Sequence, residues 1–271
     1  MKFSSRFFSW LLAAGVFVAL GQLALASQVV YDGFRRSFPT YAGGGSGFSA
    51  PWTQGGYNAF SSDYTFEPRS LCYPALQRSG GSVSGDAFSE INGIIRQLEQ
   101  PLGADNSTVY ISVLLEPRGT LNNGVYDGFF GVTLNGSLGN DLFIGKPGGG
   151  EIGKYVLETR GGYGQVPSSL SAVVGRTELL VVKAQFLPGA DQFTLYTNPK
   201  PGHAEPVSSV VKADLDLGTV SAIGIYSSGA FAVDEIRIGT TFADVVPVMT
   251  DIDRDRPDGC QDNDKSHGED H

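Results

Sequence analysis

"TVYISVLLEP", residues 108 to 117, decides the fold class of this chain. Val109, Ile111, Val113 and Leu115 fall on one side of an extended backbone, and Tyr110, Ser112 and Leu114 fall on the other. A side-chain period of two belongs to a strand and not to a helix. Comparable segments follow: "YDGFFGVTL" (126–134), "DLFIGK" (141–146), "ELLVVKAQFL" (178–187), "DQFTLYT" (191–197), "VSAIGIYSS" (220–228) and "FAVDEIRIG" (231–239). Breakers such as "NGSLGN", "PGGG", "PGAD" and "NPKPG" separate them. "FSEINGIIRQLEQ" (88–100) is helix-compatible by composition, and its core "GIIRQL" is read as a strand. Many short strands without helix-length periods between them predict an all-β sandwich or barrel.

The flanks differ from this middle. Lys2 and Arg6, the apolar stretch "LLAAGVFVALGQLALA" and the small-x-small triplet Ala24-Leu25-Ala26 read as an export signal spanning 1–26. No later run approaches the ~18 apolar residues that span a bilayer. The expected mature chain is therefore exported and soluble: secreted, periplasmic or at the cell surface. Residues 27–248 form the predicted domain. Residues 249–271, with "TDIDRDRPDGCQDNDKSHGEDH", are too polar to offset the entropy of ordering and are read as a disordered acidic tail. The net charge of −9 becomes −11 once Lys2 and Arg6 are removed, which argues against nucleic acid or an anionic membrane as partner. Cys72 and Cys260 could pair in an oxidising compartment, but no spacing tests that, and two unpaired thiols are the preferred reading.

In order and spacing, several stretches between residues 29 and 247 resemble bacterial exported proteins with a laminin-G-like, concanavalin A-like jelly-roll domain. They are "YDGF" (31–34), the Gly-rich loop ending in Trp52, "SLCYPALQRSGG" (70–81), "VYISVLLEP", "LFIGKP", "LVVKAQF", "LYTNP" and "VDEIRIGTTFADVVP". The chain departs from some of those relatives in ending on acidic residues where they carry a Pro-Glu-Pro sorting signal. The resemblance implies an antiparallel two-sheet jelly-roll sandwich of the lectin and glucanase type, with first and last strands side by side. That arrangement would bring "YDGF" next to "VDEIR". Strict alternation puts Asp234 on the face of Ile236 and Ile238, pointing inward, and Glu235 with Val233 and Arg237. A buried carboxylate needs donors or a cation. Asp32 and Asp234 could share a structural Ca²⁺ with backbone carbonyls. The preferred alternative is that Asp234 accepts hydrogen bonds from a neighbouring loop and Glu235 pairs with an exposed arginine.

Catalytic patterns are missing from the sequence. Glycosidases use two carboxylates flanking the scissile bond, and the Glu-x-Asp-x-x-Glu spacing of one group on this fold does not occur. His203 is the one histidine of the domain, which leaves no base for a triad. "GGGEIGK" (148–154) has phosphate-loop spacing, but Tyr155 follows where Ser or Thr is needed, so it is read as a turn. Trp52, with Phe48 and Tyr57 near it in sequence, is a candidate stacking platform for sugar, against the preferred reading that it caps the core. The function expected is a non-catalytic module that binds extracellular polysaccharide or a surface protein. The alternatives are a glycan-active hydrolase or lyase on the same fold, and a structural or adhesive module. Three or more exposed aromatics on one sheet would favour carbohydrate binding over the last.

Overall fold

A computed structural model describes residues 30–35, 44–207 and 209–249. The predicted export signal, and the acidic tail from residue 250 onward, lie outside the described residues. The strands are Val30–Asp32 (β1), Thr53–Gln54 (β2), Thr65–Glu67 (β3), Ser82–Gly85 (β4), Asn92–Leu102 (β5), Thr108–Pro117 (β6), Phe130–Gly136 (β7), Asp141–Lys146 (β8), Lys154–Thr159 (β9), Tyr163–Ser171 (β10), Glu178–Gln185 (β11), Asp191–Thr197 (β12), Val210–Leu215 (β13), Val220–Ser227 (β14) and Phe231–Gly239 (β15). One short helix follows, Phe242–Val245 (α1), closed by a capping box between Thr241 and Asp244.

Two antiparallel sheets hold these strands. One has eight, in the order β13-β12-β11-β6-β15-β4-β3, with β1 also on β15; the other has seven, β10-β9-β8-β7-β14-β5-β2. The architecture is an antiparallel jelly-roll sandwich, all-β as the alternating segments predict and of the type the resemblance implies. The chain's first and last strands are neighbours, with Val30 opposite Ile238 and Asp32 opposite Ile236. The ambiguous segment around "GIIRQL" is strand β5, and the "GGGEIGK" stretch is a turn in which Gly149 and Gly150 take positive φ before β9 begins.

The inward faces supply the main core, as Ile111, Val113 and Leu115 of β6 meet Val132, Leu134 and Ile144 of the opposite sheet. The other face of β6 is buried too. Tyr110 and Leu114 lie under a second layer made by α1 and the 71–76 loop, with Leu71, Leu76, Phe242 and Val245 packed on them. That layer covers the outer face of the eight-stranded sheet. The outer face of the seven-stranded sheet carries a smaller cluster of Ile91, Phe129, Phe143 and Tyr226.

Along β15 alternation fails at one place. Between Asp234 and Arg237 the register of β15 against β6 shifts by one residue, from Asp234 opposite Leu114 to Arg237 opposite Ser112. Glu235 is the extra residue, with φ of 54°. This β-bulge changes the parity of every side chain beyond it. Ile236 and Ile238 face the main core with Val233, while Asp234 lies opposite Leu114 of the second layer. The expectation that Asp234 shares a face with the two isoleucines is therefore corrected.

Candidate binding site

The seven-stranded sheet turns its outer face to a cleft of about 240 Å³. Its floor follows from the period of two. Ile223 and Ile225 of β14 enter the main core, so Tyr226 points outward. Phe143 of β8 also points outward, between Thr133 of β7 and Glu158 of β9. Glycines clear the space for these rings. Tyr226 is flanked in register by Gly93 and Gly131, and a Cβ on Gly131 would come 2.9 Å from the Phe143 ring. Phe129 fills the corner, its ring centroid 4.9 Å from that of Tyr226 and 6.3 Å from that of Phe143.

Two tyrosines stand at the rim. Tyr57 is 53% exposed and Tyr126 70% exposed, and both line the cleft. The Tyr226 hydroxyl donates to the Tyr57 carbonyl at 2.6 Å, tying the rim loop to the floor. The Arg160 guanidinium lies 4.1 Å from the Tyr57 ring centroid and ion-pairs with Asp141. Such a cation stacks on the ring's negative face.

Glu158 is the acid of the cleft. Gln165 Nε2 donates to its Oε2 at 2.8 Å. Burial pushes its pKa up to about 7, against the opposing pull of the Gln165 and Gly162 donors and the Lys212 charge. The site thus offers aromatic faces with a guanidinium and a carboxyl that is half-protonated near neutrality. It can hold a ligand having both apolar C–H surface and hydroxyls.

The residues singled out from sequence are distributed differently. Tyr57 is in this cleft, and Trp52 is not. Its indole Nε1 donates to Asp32 Oδ2 at 2.8 Å, and its ring lies 6.0 Å from Phe34 and 6.4 Å from Phe48. Trp52 caps the core and borders a separate depression with Tyr64 and Phe66. Asp32 also receives Arg96, in a buried ion pair, and the Phe34 amide at 2.8 Å. Asp234 accepts from the Ser70 hydroxyl, the Leu71 amide at 2.9 Å and the Glu235 amide at 2.7 Å. The two acids are satisfied by different protein donors, and among the described residues no three His, Cys, Asp or Glu side chains gather to hold a metal. Glu235 accepts from the Ser79 amide at 2.7 Å and the Tyr31 hydroxyl at 3.1 Å, and pairs with Arg237. That arginine is buried, where an exposed one was expected. Cys72 is disulfide-bonded, which corrects the expectation of a free thiol there; the chain's other cysteine, Cys260, lies outside the described residues.

Tyr126, Glu158, Arg160 and Tyr226 carry the site and were not singled out from sequence. Tyr226 and Glu158 left a trace, as aromatic or acidic residues on the polar parity of an apolar strand. Tyr126 sits in "NNGVYDGFF", where Asn-Gly and Asp-Gly mark turns, and nothing local ties it to the others.

No family profile matches the chain, and no curated protein does. Solved structures show likeness in fold. The endo-1,3-β-glucanase from Streptomyces sioyaensis aligns with a TM-score of 0.47 at 7% identity, over 78% of this chain and 95% of that one. The globular domain of T. cruzi calreticulin aligns with a TM-score of 0.45 at 8% identity, over 72% and 86%. Peanut lectin aligns with a TM-score of 0.37 at 11% identity, over 71% and 98%. Likeness at this distance carries no argument about ligand or activity, which have to be read from this chain's own cleft.

Proposed function

We propose that this chain is an exported carbohydrate-binding module, and that the cleft on the outer face of its seven-stranded sheet receives a sugar ring. The observation that carries this reading is the pair of exposed tyrosines, Tyr57 and Tyr126, standing over a floor of Tyr226, Phe129 and Phe143. Two exposed rings are fewer than the three asked of the sequence, and the floor rings Phe129, Phe143 and Tyr226 beneath them are buried, none more than 8% exposed. A pyranose has one face of C–H groups that suits an aromatic ring, and hydroxyls that suit Glu158, Arg160 and Asn58 at the edge. Size agrees: 240 Å³ falls below the ~300–1,000 Å³ of pockets that engulf drug-sized ligands, which fits one ring of a longer chain projecting into solvent.

A polysaccharide array tests the proposal. Tyr57→Ala and Tyr126→Ala should each weaken glycan binding about tenfold or more, a loss of ~1.4 kcal/mol or greater. Because both rings are exposed, the melting temperature should not move. Binding to no glycan, or binding by both variants at wild-type strength, overturns it.

Glu158 favours a second reading. A carboxyl titrating near 7 inside an aromatic cleft is suited to general-acid work on a glycosidic oxygen. Release of reducing sugar from the bound polysaccharide, abolished in Glu158→Gln, would make the chain a hydrolase. Glycan binding without release keeps it a binding module.

A further inference from the structure

The loop that carries Tyr126 is held in an improbable shape. Tyr126, Asp127 and Gly128 have φ of 48°, 55° and 61°, three successive residues in the left-handed region. Only the third is a glycine, so the first two pay a steric penalty at Cβ. No side chain of the Val125–Asp127 turn is buried. Val125 packs partly buried on the Ile91, Phe129, Phe143 and Tyr226 cluster, but the two strained residues, Tyr126 and Asp127, are exposed, and strain of this kind persists only where surrounding structure over-determines it.

What holds the loop is a charge. Lys146, at the end of β8, is fully buried. Its Nζ donates to the carbonyls of Asp127 at 2.5 Å, Gly128 at 3.3 Å and Pro147 at 3.2 Å. Three acceptors match the three donors of an ammonium. The Ser228 hydroxyl adds a bond to the Val125 carbonyl at 2.5 Å. Gly148 brings β8's continuation against the loop: a Cβ there would stand 2.3 Å from the Tyr126 carbonyl oxygen. Burying a lysine is unfavourable unless its charge is put to use. Here the molecule spends one beneath a loop whose only prominent feature is an exposed tyrosine at the cleft rim.

We infer that Lys146 is a positioning residue of the binding site, whose ammonium ties the Asp127 and Gly128 carbonyls so that Tyr126 is already in place when a sugar ring arrives. The inference rests on the proposed carbohydrate function for its ligand, but the lock itself is observable without one. Preorganisation raises affinity by removing the ordering cost at binding. A neutral amine has two N–H donors and a lone pair that faces carbonyl oxygens, so the lock needs the proton. Burial lowers the Lys146 pKa to about 8, with the nearby Asp127 carboxylate opposing. The lock should consequently loosen as pH rises past 8. Glu158 also titrates near this range from the cleft side, so it must be removed as a competing cause.

Amide hydrogen exchange of residues 124–129, corrected for the intrinsic pH dependence of exchange, tests the lock from pH 6.5 to 9.5 in the full chain. Protection should fall about tenfold through pH 8 in wild type and equally in Glu158→Gln. In Lys146→Met it should be low at every pH, with partial recovery in Lys146→Arg. On the glycan that wild type binds, Lys146→Met should weaken affinity toward the Tyr126→Ala value, whereas Tyr126→Ala should leave loop protection intact. Protection that stays flat with pH in wild type overturns the inference, and this arm holds even where Lys146→Met does not fold. Unchanged protection in a folded Lys146→Met overturns it as well. Absence of any glycan ligand would sink the functional proposal while leaving the exchange result to judge the lock.

Discussion

Asp234 is a fully buried carboxylate whose oxygens take a hydroxyl and two amides, with Glu235 beside it. Burial first, and the neighbouring Glu235 charge second, raise its pKa well above the ordinary carboxylate value. A carboxyl whose pKa is higher folded than unfolded binds more protons in the native state between the two values. Its contribution to stability is complete below the unfolded value and is lost as pH rises through the folded one. Asp234→Asn does not titrate, so urea melts should show wild type losing stability relative to the variant as pH rises from 4 to 7. A flat difference would mean that Asp234 stays ionised throughout. The same residue bears on calcium. With its oxygens on Ser70 and Leu71, and those of Asp32 on Arg96 and Trp52, a chelator should leave the melting temperature unmoved; a drop would restore the shared-cation reading.

At the scale of elements, β15 shows where pattern reading is strong and where it breaks. Apolar alternation identified the strand, but a one-residue bulge reversed the faces beyond Asp234. The usual sequence sign of a bulge with a left-handed residue is glycine. Here the position is Glu235, held there by the Ser79 amide, the Tyr31 hydroxyl and Arg237, and none of these is near it in sequence except the arginine. The bulge also divides the edge of β15, with β4 pairing along Phe231–Val233 and β1 along Ile236–Ile238. Glu235→Gly should relieve roughly 1 kcal/mol of backbone strain. It should also leave buried Arg237 without its carboxylate, with the Gln77 carbonyl and the Tyr31 ring still beside it, a loss of about 3–5 kcal/mol for breaking such a pair. Net destabilisation of about 3 kcal/mol in denaturant melts is expected, and a stabilised variant would show that the carboxylate contributes little. Strands β2, β3, β4, β10 and β13 were not predicted, the first two being only two and three residues long. "SVSG" is short and has one aliphatic residue, β10 is interrupted by Pro167, and β13 is an edge strand with Val211, Ala213 and Asp214 exposed.

Across the whole molecule, one buried ion pair joins the sheets. Arg96 projects inward from β5 of the seven-stranded sheet and meets Asp32 of β1 in the other. Its Nε and guanidinium also donate to the carbonyls of Ala50 at 2.8 Å and Gly44 at 2.7 Å, and it lies 4.1 Å from the Phe48 ring centroid. It thereby anchors the Gly-rich loop that ends in Trp52. Arg96→Met should cost about 3–5 kcal/mol in equilibrium unfolding, because Asp32 would be left charged and buried. A loss below 1 kcal/mol would place the join elsewhere. The same sandwich covers one outer face with α1 and the 71–76 loop and leaves the other for the cleft.

Local order was legible because strands announce themselves over five to ten residues: period-two apolarity and turn-forming breakers follow from short-range pattern and the need to cover apolar faces, whereas the neighbouring first and last strands were implied only by the family resemblance. Tyr57 lay within that reach as an aromatic in a Gly-rich loop. The cleft did not, since Tyr57, Tyr126, the Glu158–Arg160 stretch and Tyr226 come from separate connections and strands that meet only when the seven-stranded sheet is assembled. The parity of Asp234 and the burial of Lys146 were equally out of reach. Each depends on a register or a carbonyl cage set by residues distant along the chain, and no local pattern records which of two faces a closed sandwich will leave open.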